Sequence, residues 1–282
     1  MKMFFLPIAL LVGGALQAQA DSTKRSDSTK PEFKLSVNYN SNLHYYGRTD
    51  SFRSSGYFPM AELFITPKFY LNAAPIFVSN RFQSFEYAGS VASVGYLNVT
   101  DKWRTSVYAL KPFYTAEARL VQSALKAQAG ASWARLTPLA NFTLGGDVKF
   151  SDAVDFGAAA GIDRIFRHVL PGKSGVIVVV PTVTANAGTQ RFSTTYVKQQ
   201  GGSRGNGPLG LPIGNGNGGT TTETVQSNRF QILSYEASVP VIYVRGKWML
   251  LATPAWVSPQ NLLPGEYGKD QVYVTAGLKY SL

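Results

Sequence analysis

Residues 270–282 read DQVYVTAGLKYSL. From Val272 onward every second residue is apolar (Val272, Val274, Ala276, Leu278, Tyr280, Leu282), and the residues between are Tyr273, Thr275, Gly277, Lys279 and Ser281. A side-chain period of two is the signature of a strand with one apolar and one polar face. The last residues of a soluble domain usually fray into water, so a strand kept regular to Leu282 is expected to be wanted at that end.

The same period recurs upstream. Phe33, Leu35, Val37, Tyr39, Leu43 and Tyr45 alternate with Lys34, Ser36, Asn38, Asn40, Asn42 and His44, which predicts one long strand. Between such segments the breaks are of two kinds. Short ones are ITPKF at Pro67, VTDKW at Asp101, LTPLA at Pro138, LPGKSG at Pro171 and VRGKW at Gly246. The others are GRTDSFRSSG, SNRFQSF, YTAEARLVQS, the brief SDAVD, a Gly-rich tract at 198–228 and SPQNLLPGEYGKD. The two kinds alternate strictly, as in an up-and-down meander with tight turns at one rim and loops at the other, and the segments number about twelve. The expected fold is all-β: an up-and-down antiparallel transmembrane β-barrel.

The faces agree with that reading. In NFTLGGDVKF the outward set is Phe142, Leu144, Gly146, Val148 and Phe150, opposite Asn141, Thr143, Gly145, Asp147 and Lys149. Trp248 and Trp256 share a face. At about 3.3 Å per residue and a tilt of about 40° they stand roughly 20 Å apart along the membrane normal, the spacing of two aromatic girdles. A soluble β-sandwich also alternates, but its strands are shorter and its polar faces carry more charge. After residue 21 no stretch of eighteen apolar residues exists to form a spanning helix.

The first twenty residues, MKMFFLPIALLVGGALQAQA, have a lysine, an apolar run and an Ala-x-Ala ending, which predicts a secretory signal peptide over 1–20. Residues 21–32, with a repeated DSTK, hold almost nothing to bury and read as a disordered periplasmic lead-in, leaving 33–282 for the barrel. The chain has no cysteine, so neither a disulfide nor an acylated cysteine anchors it. The formal charge is +11, one less without Lys2. For an exported protein the anionic partners at hand are lipid head groups and lipopolysaccharide phosphates rather than nucleic acid.

The Ala-x-Ala signal, the even meander, the long loops and the terminal VTAGLKYSL resemble Gram-negative outer-membrane β-barrel proteins. The resemblance implies a bacterial outer-membrane location and a last strand read by the barrel-assembly machinery. Such chains usually end in an aromatic residue; here Tyr280 stands two before Leu282 as the assembly signal. The Tyr-rich first strand and FGAAAGIDRIF look like uncharacterised Bacteroidota members of the class. Asp-Ser-Thr at Ser22 and Ser28 resembles a glycosylation motif of that group, although the plain linker reading is preferred.

Little in the sequence points to catalysis. Barrel lipases and deacylases resemble one another in a His-x-Ser pair, but His44 precedes Tyr45-Tyr46 and His168 precedes Val169-Leu170. His44 reads as a lumen or rim residue, His168 as a turn residue at the opposite end, so the two share no metal site. GNGPLG at 205–210 fits G-x-G-x-x-G but lacks the strand-helix context of a nucleotide site. Residues 116–123 have helical propensity and are expected to form a brief helical turn before a strand on which Leu125, Ala127, Ala129, Ala131 and Trp133 face outward. No catalytic residue, cofactor or metal is expected.

Strand parity places Glu62, Arg104, Lys126, Asp147, Lys149, Asp163, Glu236 and Lys279 on the lumen side. Buried charges must be paired or hydrated. Paired, they close the lumen; hydrated, they line a narrow water path; the even mix of signs favours pairing. The expected function is non-enzymatic, as a narrow solute channel or a surface scaffold. An accessory subunit of a larger outer-membrane assembly, contacting a partner through the 198–228 loop, is the alternative, and a lipid-modifying barrel enzyme using His44 the weaker one.

Overall fold

The computed structural model describes residues 31–49, 53–81, 84–114, 125–199, 220–263, 266 and 268–282. The expected signal peptide, most of the lead-in, the helical turn at 116–123, the 205–210 stretch and most of the Gly-rich tract lie outside these residues.

Twelve antiparallel strands are present among the described residues. In chain order β1 to β6 are Glu32–Asn40, Ser55–Phe64, Phe69–Ser79, Glu86–Val99, Trp103–Tyr114 and Ala127–Arg135. β7 is Asn141–Phe150, β8 Val154–Asp163 with Phe166–Val169, and β9 Val176–Val179 with Thr182–Gln199. β10 is Thr220–Ser238 with Val241–Arg245, β11 Trp248–Pro259 and β12 Gln271–Ser281. The interruptions in β8 to β10 lie close together: the amide of Arg164 donates to Pro181, that of Val180 to Pro240 and that of Val239 to Pro254. Pro181 and Pro240, which have no amide to donate, stand at two of these interruptions.

Two compact units are present. In the first, residues 31–188 and 231–282, each strand pairs with its neighbour in sequence and the sheet closes on itself. β1 is the seam: Lys34 lies opposite Glu62 of β2, and Ser36 opposite Lys279 of β12. β12 then pairs with β11, Tyr280 opposite Trp248. Closure removes the free edges a flat sheet would leave. The second unit, residues 189–230, contains the remaining lengths of β9 and β10.

Three of the short turns are built alike. In ITPKF, VTDKW and LTPLA the threonine hydroxyl accepts an amide three residues on: Phe69 to Thr66, Trp103 to Thr100 and Ala140 to Thr137, all at 3.0–3.2 Å. Such hydroxyl-to-amide bonds stand in for the missing ladder bond at a chain reversal.

Alternation sorts the faces as the sequence implies. On β7 Phe142, Leu144 and Phe150 are exposed, whereas Asn141 and Lys149 are buried. On β1 Phe33, Leu35 and Val37 face out, and Lys34, Ser36, Asn38 and Asn40 face in. An exterior carrying Val272 at 70 % exposure beside buried Lys279 is inverted relative to a water-soluble fold, and only hydrocarbon solvates such a wall. The barrel is an outer-membrane protein.

Four expectations about the strands need correction. The first strand stops at Asn40 rather than running to Tyr45. The Gly-rich loop starts later and ends earlier than 198–228, because β9 reaches Gln199 and β10 begins at Thr220. Lys126 does not face the interior: it precedes β6, is well exposed and pairs with exposed Asp152 at 3.1 Å. Its neighbour Leu125 is buried instead of facing out. Parity counts only within a paired strand, and here the ladder starts at Ala127.

Candidate functional site

The segment between β1 and β2 builds the site. After Asn40 the chain is held by paired bonds, the Ser41 amide to the Val274 carbonyl and the Val274 amide to the Ser41 hydroxyl. Then His44–Tyr45 and Arg48–Thr49 pair as a short hairpin. Its turn residues Tyr46 and Gly47 have φ of 51° and 78°. Positive φ at both central positions makes the tightest hairpin reversal, costless for Gly47 and strained for Tyr46.

Its contacts show where this hairpin lies. Leu43 packs into a buried cluster with Phe58, Ile76, Val78 and Ala88 of β2, β3 and β4. The His44 ring sits 4.4 Å from that of Tyr273 on β12, edge to face. The Lys149 ammonium of β7 lies 6.0 Å from the Tyr45 ring and 5.9 Å from that of Tyr46. The Gly47 carbonyl accepts from Gln271, and a Cβ on Gly47 would lie 2.9 Å from Pro259. Residues from β2, β7, β11 and β12 meet one short segment, so it crosses the barrel interior at the loop end. We call it the mouth hairpin.

Arg48 fastens it. Its Nε donates to Glu266 at 3.1 Å, and its Nη atoms donate to the carbonyls of Tyr46, Leu233 and Gln260 at 2.9–3.3 Å. A guanidinium satisfies several acceptors at once through its planar fork, which a lysine cannot do. Burial holds the His44 imidazole down at about 4. Its Nδ1 accepts from the Gly47 amide at 3.1 Å, while its buried Nε2 has no hydrogen-bond partner. Burial likewise pushes the Tyr45 and Tyr46 phenols above their ordinary value, with Asp147 adding to the shift at both.

The sequence-designated charges sort into pairs below and beside the hairpin. Glu62 meets Lys279 at 2.5 Å. Asp147 meets Lys149 at 2.5 Å and accepts from Gln128, which also donates to Tyr108. Asp163 accepts from Asn141 at 2.7 Å, with Arg104 3.9 Å away. Glu236 accepts from Tyr273. Of the eight, only Lys126 stands apart. The girdle residues Trp248 and Trp256 are on the exposed face, as is Leu282, and Tyr280 is half-buried against Trp248 with ring centroids 4.6 Å apart.

A water-filled path would leave its lining wet. Instead Lys34, Glu62, Arg104, Lys149, Asp163 and Lys279 are only 4–6 % exposed. Toward the short-turn end a second apolar cluster of Val178, Val180, Ile242, Met249 and Leu251 adds to the packing. Met249 lies opposite Lys279 in the ladder, so this apolar cluster adjoins the Glu62–Lys279 layer.

His44 has no carboxylate partner to orient it, and among the described residues no three potential metal ligands cluster. His168 lies exposed in β8 at the short-turn end rather than in a turn. Sequence reading missed Arg48, Tyr45, Tyr46 and Gly47 as site residues. The available signal was HYYGRT, a Tyr-Gly pair flanked by residues able to pair across a two-residue turn.

No protein-family model and no curated protein sequence matches this chain. Among solved structures, the chain is similar to an outer-membrane channel from Pseudomonas putida F1, at 10% identity and a TM-score of 0.45, covering 89% of this chain and 95% of that one. It is also similar to the β domain of the Bordetella autotransporter BrkA, at 10% identity and TM-score 0.40, covering 90% and 100%. For the translocator domain of the autotransporter NalP from Neisseria meningitidis the values are 10% identity and TM-score 0.39, covering 96% and 95%. Likenesses at this level carry no role over to this chain, whose fold is read from its own strand register.

Proposed function

We propose that the protein is a non-enzymatic, closed outer-membrane barrel that serves as a surface scaffold, with its interior sealed by the mouth hairpin. The observation that supports this reading is the Arg48 fastening: Tyr46, Leu233, Gln260 and Glu266 supply its four acceptors, above an interior of paired charges. In this reading the chain is exported by a signal peptide at 1–20, and β12 with Tyr280 and Leu282 carries the assembly signal. The segment joining β9 to β10 is the element offered to a protein partner. The resemblance to Bacteroidota barrels belongs to the same proposal.

The test is electrical. The full chain in a planar bilayer is expected to show no steady conductance, whereas Arg48→Ala, which frees the hairpin, is expected to show discrete openings. A stable open level in the unaltered protein overturns the scaffold reading. A second reading, a gated narrow channel, is favoured by one observation: a single arginine makes most of the polar fastening, so one rearrangement releases the hairpin. Voltage-driven opening of the unaltered protein selects that reading.

A further inference from the structure

The exposed charge of the barrel is unevenly shared between its ends. Each of the five short turns carries a cation at its rim: Lys68, Lys102, Arg135, then Arg164 with Arg167, then Arg245 with Lys247. All are exposed except half-buried Arg135, and among the described residues the exposed acids at that end are Glu32 and Asp101. At the loop end acids and bases mix and neutralise in pairs such as Lys126–Asp152 and Arg48–Glu266.

The short-turn cations also sit where a bilayer would place them. Arg135 lies over the Trp103 ring at 4.1 Å, and Trp103 stacks on Trp133 at 4.4 Å. Arg164 lies over exposed Phe166 at 5.0 Å, and Lys247 near Tyr280 at 5.9 Å, whose ring contacts Trp248. Phe69 beside Lys68 is exposed and packs on Tyr96. Trp133, Phe166, Trp248 and Phe69 belong to the exposed apolar exterior, so Arg135, Arg164, Lys247 and Lys68 are held at the border where hydrocarbon meets head groups.

We infer that the short-turn rim is a binding ring for anionic phospholipid head groups of the periplasmic leaflet. A phosphodiester is the group that both charge and height select. Arginine takes phosphate oxygens through its fork while the aromatic beneath it rests among the upper acyl carbons. Peptidoglycan and acidic periplasmic proteins are also anionic. They lie beyond the leaflet, however, and the cation–aromatic stacking would not serve them. The inference uses only the orientation of the barrel, and it stands whether or not the interior conducts.

The test uses the full chain, refolded into vesicles of phosphatidylethanolamine with a minority of phosphatidylglycerol. Lipid co-extracted with the barrel is measured by mass spectrometry. Each cation near an anionic surface is worth about a fivefold preference, so phosphatidylglycerol is expected to be enriched several-fold over the vesicle average. The enrichment is expected to fall between about 0.01 M and about 1 M salt, as the screening length drops from about 30 Å to about 3 Å. Combined Arg164→Gln, Arg167→Gln, Arg245→Gln and Lys247→Gln should bring it close to the average, and Lys126→Gln with Lys269→Gln at the loop end should leave it unchanged. Heat-shifted gel migration confirms that each variant is folded, and the salt series on the unaltered protein stands even if a variant is not. No enrichment, enrichment indifferent to salt, or equal loss with the loop-end pair overturns the inference. So does retention of soluble peptidoglycan fragments in place of lipid.

Discussion

Glu62→Gln is the sharpest probe of a packed interior. Glu62 on β2 reaches past β1 to Lys279 on β12, so the pair straddles the seam where first and last strands close the barrel. Two strand spacings, about 9.6 Å, and an offset of two residues along β1 separate their backbones, and the long side chains span the gap. Both side chains are 6 % exposed. Removing one partner of such a pair leaves a buried ammonium without its counter-charge and costs about 3–5 kcal/mol, against at most about 1 kcal/mol for a wetted pair. The assay is urea unfolding of the vesicle-inserted barrel, the folded fraction being read from gel migration without heating. Glu62→Met with Lys279→Met removes both charges and is expected to restore stability or exceed it by about 1–4 kcal/mol. A cost for Glu62→Gln below about 1 kcal/mol would show water in that layer and refute the sealed interior.

Two further outcomes follow from the same geometry. Because burial holds the docked His44 at about 4, below its ordinary 6.5, the released hairpin binds a proton that the docked one does not. Docking is therefore complete above about pH 6.5 and weakens as pH falls toward 4, by about 3 kcal/mol in all, a trend that hydrogen exchange of the Gly47 amide should follow and His44→Phe should abolish. At Gly95 an added Cβ would collide with the Tyr70 ring and at Gly130 it would lie 2.7 Å from that of Tyr108, each tyrosine being laid over a glycine of the next strand. Gly95→Ala should displace Tyr70 and destabilise the barrel by about 1–3 kcal/mol, measured by the same urea titration.

The local chemistry of the chain settles the strands. Alternation in NFTLGGDVKF and VTAGLKYSL is a property of adjacent residues, and so is a threonine-led turn such as ITPKF, which explains why strand number, turn order and inward face are legible without coordinates. Of the eight charges that parity assigns to the interior, Glu62, Arg104, Lys149, Asp163 and Lys279 are buried, whereas Lys126, just before the paired residues of its strand, is exposed.

Which charges meet is a different matter, since Glu62 and Lys279 are brought together by a register that depends on every intervening strand. The mouth hairpin is likewise nonlocal. Asn42, His44 and Tyr45 continue the alternation of β1, and as a sequence they extend the wall. In the fold they leave it, because acceptors for Arg48 and a ring for His44 come from residues more than two hundred positions away, Gln260, Glu266 and Tyr273. Period is encoded residue by residue, whereas closure of the mouth arises only when the two ends of the chain become neighbours.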